Sequence, residues 1–171
     1  MDFDIAMLVL RVGIGSIFVA HGLQKAFGWW EGPGWEGWKG AMTYMGIRPV
    51  LFWASISLVA ELGGGLALIA GLLVPITAAG LVAQTIVLFK KVHWPNGWWT
   101  SKGGIEFPIA FGVGAFAVQV LGPGAWALDS ILPVDVLYEP AVRWTLLAIA
   151  VLGALVAAFI PAPEPKPDAA A

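Results

Sequence analysis

Residues 52–73 constrain the fold of this chain more than any other stretch. They form an unbroken run of about twenty apolar residues, FWASISLVAELGGGLALIAGLL, which is the length that a helix needs to cross a bilayer core. One carboxylate, Glu61, lies near the middle of the run. An ionised group at that depth costs a few kcal/mol, so it usually faces the interior of a helix bundle and a partner. The stretch therefore predicts a central membrane-spanning helix.

The residues of this predicted helix separate into stripes on a helical wheel with 3.6 residues per turn. Gly63, Ala67 and Gly71 form a stripe of small residues, which predicts the close approach of a neighbouring helix. Glu61 lies on a different face. A third stripe, predicted to meet lipid, contains the large apolar residues Leu62, Leu66, Ile69 and Leu73.

The composition is typical of a polytopic membrane protein and excludes several other classes. The chain has 171 residues, of which 59% are hydrophobic and 12% charged, and its mean hydropathy is +0.83. It contains no cysteine, which excludes disulfides, thiol redox chemistry, iron–sulfur clusters and thiolate metal sites. The net charge of -2 and the lack of a basic run exclude a nucleic-acid partner.

We predict an all-α membrane protein with one transmembrane domain over residues 1–160. Its architecture is a four-helix transmembrane bundle plus a fifth C-terminal transmembrane helix. The predicted spans cover residues 5–27, 52–73, 75–92, 105–121 and 140–160. Residues 161–171, PAPEPKPDAAA, are rich in proline and polar, and we predict a disordered tail there.

Two Trp-rich loops, residues 28–49 and 90–104, are predicted on one side of the bundle. Seven of the 9 Lys and Arg residues lie at or beyond this end, which the positive-inside rule makes cytoplasmic. Eight of the 10 Trp residues fall on the same side. This asymmetry predicts either a Trp-rich cap over the bundle or a docking surface, in a multi-pass protein of the cell (plasma) membrane.

The few polar side chains of the spans are predicted to line one funnel that opens at the Trp-rich end. The second and third spans form a helical hairpin, in which Glu61 and Gln84 lie at similar depth, and this predicts a hydrogen bond between them. Arg11 lies deep in the first span, where it needs a counter-charge. The members nearer the membrane surface are His21, Lys25, His93 and Glu106.

A structural role is an alternative for several of these groups. Glu61 would then only hold helices together through Gln84 or Arg11. His21 would be a buried histidine that is hydrogen-bonded to Glu61 or to a carbonyl. Glu106 would cap the first turn of its helix.

Four segments, taken in order, resemble the DoxX family of small bacterial membrane proteins. They are LRVGIGSIFVAHGLQKAFG, LVAELGGGLALIAGLLVP, NGWWTSKGGIEFP and GPGAWALD, and the resemblance covers residues 8–132. It implies a relation to quinone-linked subunits of thiosulfate oxidation and of other membrane oxidoreductase assemblies. The fifth span and the tail depart from the four-span pattern of the family. The recurrent polar positions of the family correspond to Arg11, His21, Gly22, Lys25, Glu61, Gly71, Asn96, Gly97, Gly104, Glu106 and Asp129.

The function that we predict is that of a quinone-linked redox subunit. A quinone head group needs hydrogen-bond donors, a proton route and flat apolar walls. Glu61 and His21 are the predicted catalytic residues. The chain has no dinucleotide motif, no thiol pair and no evident haem site, so a partner protein must supply the electrons. The predicted quinone-binding residues are His21, Lys25, Glu61, Gln84, Glu106 and Arg11.

Two alternatives stay open at this point. The first is a non-catalytic membrane anchor or scaffold, in which the fifth span, the tail and the Trp-rich side dock protein partners or a second copy of the chain. The second is a metal site for a hard or borderline cation. Its predicted ligands are His21, Glu61, His93 and Glu106.

Overall fold

The computed structural model describes residues 1–161, which form helices and contain no strand. This confirms the predicted all-α class. The tail predicted at 161–171 lies, from residue 162 onward, outside the described residues. The α-helices are α1 (Asp2–Phe27), α2 (Gly34–Tyr44), α3 (Val50–Ala70), α4 (Val74–Asn96), α5 (Glu106–Leu121) and α6 (Pro140–Phe159).

Four of these helices are long and apolar enough to cross a membrane, namely α1, α3, α4 and α6. This confirms the prediction of a multi-pass membrane protein. Helix α5 is apolar but has only 16 residues. At 1.5 Å per residue it is about 24 Å long, which is less than the roughly 30 Å of a bilayer core.

Helices α3 and α4 form the predicted hairpin, although α3 ends three residues earlier than predicted. Gly71 adopts a left-handed conformation (φ 69°) and ends the helix, and the amide of Leu72 donates to the carbonyl of Ala67 at 2.8 Å. Pro75 then lies in the first turn of α4, where its missing N–H costs nothing. The apolar pattern continues through this turn, so hydropathy alone did not reveal the end of α3.

Both hairpin helices contain one π-helical turn, Val59–Gly63 in α3 and Phe89–His93 in α4. Glu61 is the middle residue of the first turn. A π turn has wider i→i+5 hydrogen bonding, and it rotates every later residue relative to a regular wheel. Turns of this kind often occur at functional sites.

The predicted small-residue stripe of α3 is wrong at its first position. Gly63 is exposed, and a Cβ added there would meet no other helix. Gly65 makes the close contact instead, because its added Cβ would come within 2.8 Å of the carbonyl oxygen of Gly15 on α1. The contact between α1 and α3 is therefore a glycine-to-glycine approach, two positions away from the predicted stripe.

Helices α1, α3, α4 and α5 surround one core, to which they contribute Met7, Leu68, Leu81 and Val118 in turn. Helix α6 packs along α4 on the outside of these four helices. The short helix α2 packs against α1 and α3. It belongs to the first Trp-rich loop, and Trp38 is buried in a second apolar cluster.

Candidate functional site

The centre of the candidate site is an ion pair between α1 and α3. The Lys25 ammonium donates a hydrogen bond to Oε1 of Glu61. Lys25 is 7% exposed and Glu61 is 0% exposed, so the pair is shielded from its surroundings. A lysine near the end of a membrane helix can place its charge at the interface. Lys25 does not do so, because its ammonium turns inward to a carboxylate.

Gln84 of α4 donates to the same carboxylate oxygen as Lys25. Its Nε2 donates to Oε1 of Glu61 at 2.8 Å and to the hydroxyl of Ser57 at 2.7 Å. The predicted hydrogen bond across the hairpin is thus confirmed. The second carboxylate oxygen, Oε2 of Glu61, is buried and has no hydrogen-bond partner among residues 1–161. One acceptor of the pair therefore stays unsatisfied, which is uncommon for a buried carboxylate.

Trp38 of α2 covers the ion pair. The Lys25 ammonium lies 3.8 Å from the centroid of the Trp38 ring, a distance that gives a strong cation–π contact. Nε1 of Trp38 is also buried without a partner in the described part of the chain. Sequence reasoning missed this residue. The signal that would have found it is the helical spacing of Trp38, Met42 and Met45, which all face inward.

A cavity of about 320 Å³ adjoins the pair and falls within the range of small-ligand sites. Both Lys25 and Glu61 contribute to its wall, but the full burial of Glu61 means that a ligand meets Lys25 first. His21 lies one turn before Lys25 and is exposed, and its ring centroid is 6.5 Å from that of Phe111. The other lining residues include Phe18, Gln24, Pro33, Trp38, Thr85, His93, Phe107 and Pro108.

His93 and Glu106 organise the loop between α4 and α5. Nδ1 of His93 donates to the carbonyl of Gly103 at 2.7 Å, and Oε1 of Glu106 accepts the amide of Thr100 at 2.7 Å. His93 also lines the cavity, whereas Glu106 is not among its lining residues. Within residues 1–161, no three His, Asp or Glu side chains come together as metal ligands. The structure therefore gives the metal alternative no support.

Arg11 lies at the other end of the bundle, and the structure does not bring it to the cavity. Its guanidinium is fully buried and donates to the carbonyls of Ile69 (3.3 Å) and Trp126 (2.6 Å). We expected a carboxylate partner for this charge, and the main-chain carbonyls take that place. A Cβ on Gly71 would lie 2.0 Å from the guanidinium, so only glycine fits beside it.

Asp129 completes this second polar cluster. Its carboxylate accepts the amides of Leu73 and Val74 at 2.7 Å each and also accepts the Tyr138 hydroxyl. These amides begin α4, so Asp129 caps that helix from a distant loop. Burial and the hydrogen bond to Asp129 raise the pKa of Tyr138 above its ordinary value. The Arg11 cluster fixes the hairpin turn, and no ligand contact is needed to explain it.

The chain matches the model of a known protein family. The family model described as DoxX matches residues 6–94, which is more than half of the 171-residue chain. No curated protein and no solved structure matches the chain. The matched region contains Lys25, Glu61 and Gln84, and thus the whole polar network beside the cavity. The chain therefore belongs to the DoxX family of membrane proteins.

Proposed function

We propose that this chain is the quinone-binding subunit of an oxidoreductase system in the bacterial inner (plasma) membrane. The observation that supports the proposal is the cavity of about 320 Å³ with a buried ion pair in its wall. A quinone head group is flat, apolar on both faces and polar only at its two carbonyl oxygens. The cavity offers aromatic surfaces from Phe107, Phe111 and Trp38, together with hydrogen-bond donors in its wall.

Lys25 and His21 are the groups that would meet the quinone carbonyls. The Lys25 ammonium is a charged donor, and hydrogen bonds from charged donors are stronger than those from neutral ones. Reduction of a quinone consumes two electrons and two protons, and the protons would come from Lys25 and His21. Glu61 would keep the ammonium charged and in position, and Gln84 would hold Glu61. A partner protein would supply the electrons.

We propose that residues 1–160 form one transmembrane domain with five spans, in which the short helix α5 is the fourth span and α6 the fifth. The proposal depends on α5. This helix packs along α4 and also reaches α1, the place that a crossing helix would take. The two Trp-rich loops would then share one side, and in support of this Trp38 of the first loop and His93 of the second line the same cavity. Most lysines and arginines lie at this end, so we place it in the cytoplasm.

The test is a quinone-binding titration with a double variant. Purified protein is titrated with a short-chain ubiquinone analogue, and binding is followed by the quenching of tryptophan fluorescence. Lys25→Met combined with Glu61→Leu replaces the ion pair by apolar side chains of similar size, and such exchanges are often neutral for stability. We expect affinity to fall at least about tenfold, since charge-assisted hydrogen bonds contribute about 1.5–3 kcal/mol. Lys102→Met is the matched control, because Lys102 is exposed and outside the cavity wall. A folded double variant that binds like the wild type would disprove the proposal.

A membrane scaffold is the second candidate, and the exposed tryptophans favour it. Trp30, Trp98 and Trp99 are 63%, 53% and 62% exposed, in loops at the same end as the cavity. Exposed aromatic side chains are common anchors for protein partners. In a scaffold, or in a homo-oligomer, the change of both Trp98 and Trp99 to Ser would abolish assembly. The double variant at Lys25 and Glu61 would instead assemble and support full turnover of the host complex.

A further inference from the structure

A larger cavity, of about 440 Å³, lies between α4, α5 and α6. Its wall is almost wholly apolar. The hydroxyl of Thr85 also reaches it but donates to the carbonyl of Leu81 at 2.8 Å, so it offers no free hydrogen to a ligand. The cavity is therefore suited to a hydrocarbon chain. Its apolar lining residues include Val82, Ile86, Ile109, Val113, Leu155 and Phe159.

One cation, Lys90, belongs to the wall of this cavity. Its ammonium lies 5.3 Å from the ring centroid of Phe159 and 5.5 Å from that of Trp94, so two aromatic rings hold its position. As far as residues 1–161 are concerned, it forms no ion pair and donates no hydrogen bond. The adjacent Lys91 is different, because its ammonium donates to the carbonyls of Met45 and Ile160.

We propose that this cavity binds an anionic phospholipid, with one acyl chain between α4, α5 and α6 and the phosphate group at Lys90. Lys91 donates to carbonyls at the ends of α2 and α6. The hydrogen-bond donors of Lys90 contact no acceptor in the described part of the chain, and they lie beside an apolar groove. A lone cation at the end of such a groove matches a ligand with an anionic head and an apolar tail. A zwitterionic lipid offers the same chain, but its own cation opposes Lys90. Charge complementarity therefore assigns the site to the anionic class.

The head-group half of the proposal is tested by lipid binding to the delipidated full chain in detergent. Phosphatidylglycerol and phosphatidylcholine with identical acyl chains are titrated, and the bound fraction is read by native mass spectrometry. We expect a preference of about fivefold for phosphatidylglycerol, since one basic residue near an anionic head group contributes about 1 kcal/mol. Lys90→Gln should remove this preference. Lys102→Gln, at an exposed lysine of the adjoining loop, should keep it.

The acyl-chain half is tested by filling the groove. Val113 lines the cavity and is 62% exposed, so Val113→Trp adds volume inside the groove without loss of a polar contact. It should weaken the binding of both lipids. Val9→Trp is the control, at a 65% exposed position of α1 away from the cavity.

Three results would overturn the proposal. The first is equal binding of the two lipids by the wild type, and the second is a preference that survives Lys90→Gln. The third is normal lipid binding by Val113→Trp. If Val113→Trp changed only the oligomeric state, the groove would belong to a second copy of the chain, and the lipid assignment would be wrong.

Discussion

Arg11 and Lys25 lie in the same sector of α1, at opposite ends of the bundle, and both are buried, but their partners differ in kind. The guanidinium of Arg11 donates to the main-chain carbonyls of Ile69 and Trp126. The ammonium of Lys25 donates to the carboxylate of Glu61. Carbonyls hold a cation without adding a second titratable group, whereas a carboxylate adds one. Only at the Lys25 end do a cation and a carboxylate bind each other directly, because the carboxylate at the Arg11 end, Asp129, accepts from two amides and a hydroxyl.

The surroundings of the two cations also differ in how completely they are filled by the protein. At the Arg11 end, the carboxylate of Asp129 accepts from two amides and a hydroxyl, and the hairpin turn fills the remaining space. At the Lys25 end, Oε2 of Glu61 lacks a partner among the described residues, and a cavity adjoins the pair. Nε of Arg11 is also buried without a partner among residues 1–161, so the difference lies in the space beside each cluster. A filled cluster indicates a structural role, whereas an unpaired carboxylate oxygen beside a cavity favours a binding role.

The largest loss of stability is expected when only one member of the Lys25–Glu61 ion pair is replaced. Lys25→Met leaves the Glu61 carboxylate buried without its cation, which costs about 3–5 kcal/mol. The double variant with Glu61→Leu should recover most of this loss, because no buried charge remains. Chemical unfolding in detergent micelles gives the difference. Equal stability of Lys25→Met and wild type would contradict the assignment of the ion pair.

A somewhat smaller effect is expected at the Arg11 end from Gly71→Ala. The residue has φ 69°, and its new Cβ would overlap the Arg11 guanidinium. Left-handed strain and overpacking together cost about 2–4 kcal/mol. Gly13→Ala is the control in the same unfolding measurement, because an added Cβ there meets nothing within 4 Å. If both variants lost the same stability, the fit around Gly71 would not be tight.

Gln84→Leu should cause a moderate loss of stability, and it tests how strongly Gln84 depends on the Glu61 carboxylate. It removes the hydrogen bonds to Glu61 and Ser57, and interhelical bonds of this kind contribute up to about 1.7 kcal/mol in membranes. A double-mutant cycle with Glu61→Gln isolates the part of this loss that depends on the carboxylate. A coupling energy near zero would mean that Gln84 and Glu61 act independently.

The smallest effect is expected from Tyr138→Phe, about 1 kcal/mol at pH 7 from one lost hydrogen bond. Because the pKa of Tyr138 is raised above 10.0 in the folded chain, the unfolded chain releases the proton first as the pH rises. Wild-type stability should therefore fall above pH 10, and the difference from Tyr138→Phe should shrink. Tyr44→Phe, at an 88% exposed tyrosine, is the control. A difference that is constant up to pH 11 would contradict the raised pKa.

The sequence predicted the helical hairpin and the depth of its polar side chains well. Hydropathy located the apolar helices, and depth along the hairpin was enough to pair Glu61 with Gln84. Helix rotation was less predictable. The face of α3 that meets α1 contains Gly65 and not the predicted Gly63, and the pattern of small residues did not distinguish the two.

The choice of partner for Glu61 was also beyond the sequence. Both Arg11 and Lys25 were available on one sector of α1, and an extended lysine near a helix end usually reaches toward water. The close approach of Gly15 to Gly65 fixes the position of α1 along the axis of α3. In this position Lys25 lies beside Glu61, and Arg11 lies beside the hairpin turn.

The sequence by itself determined that this chain is a helical membrane protein with a buried carboxylate that needs a partner. Composition, hydropathy and helical period are local properties, and they are enough for such conclusions. The tertiary structure alone decided that Lys25 is this partner, that Trp38 covers the pair and that a cavity adjoins them. These features depend on how far each helix is rotated and shifted against its neighbours, which contacts between residues distant in the chain determine.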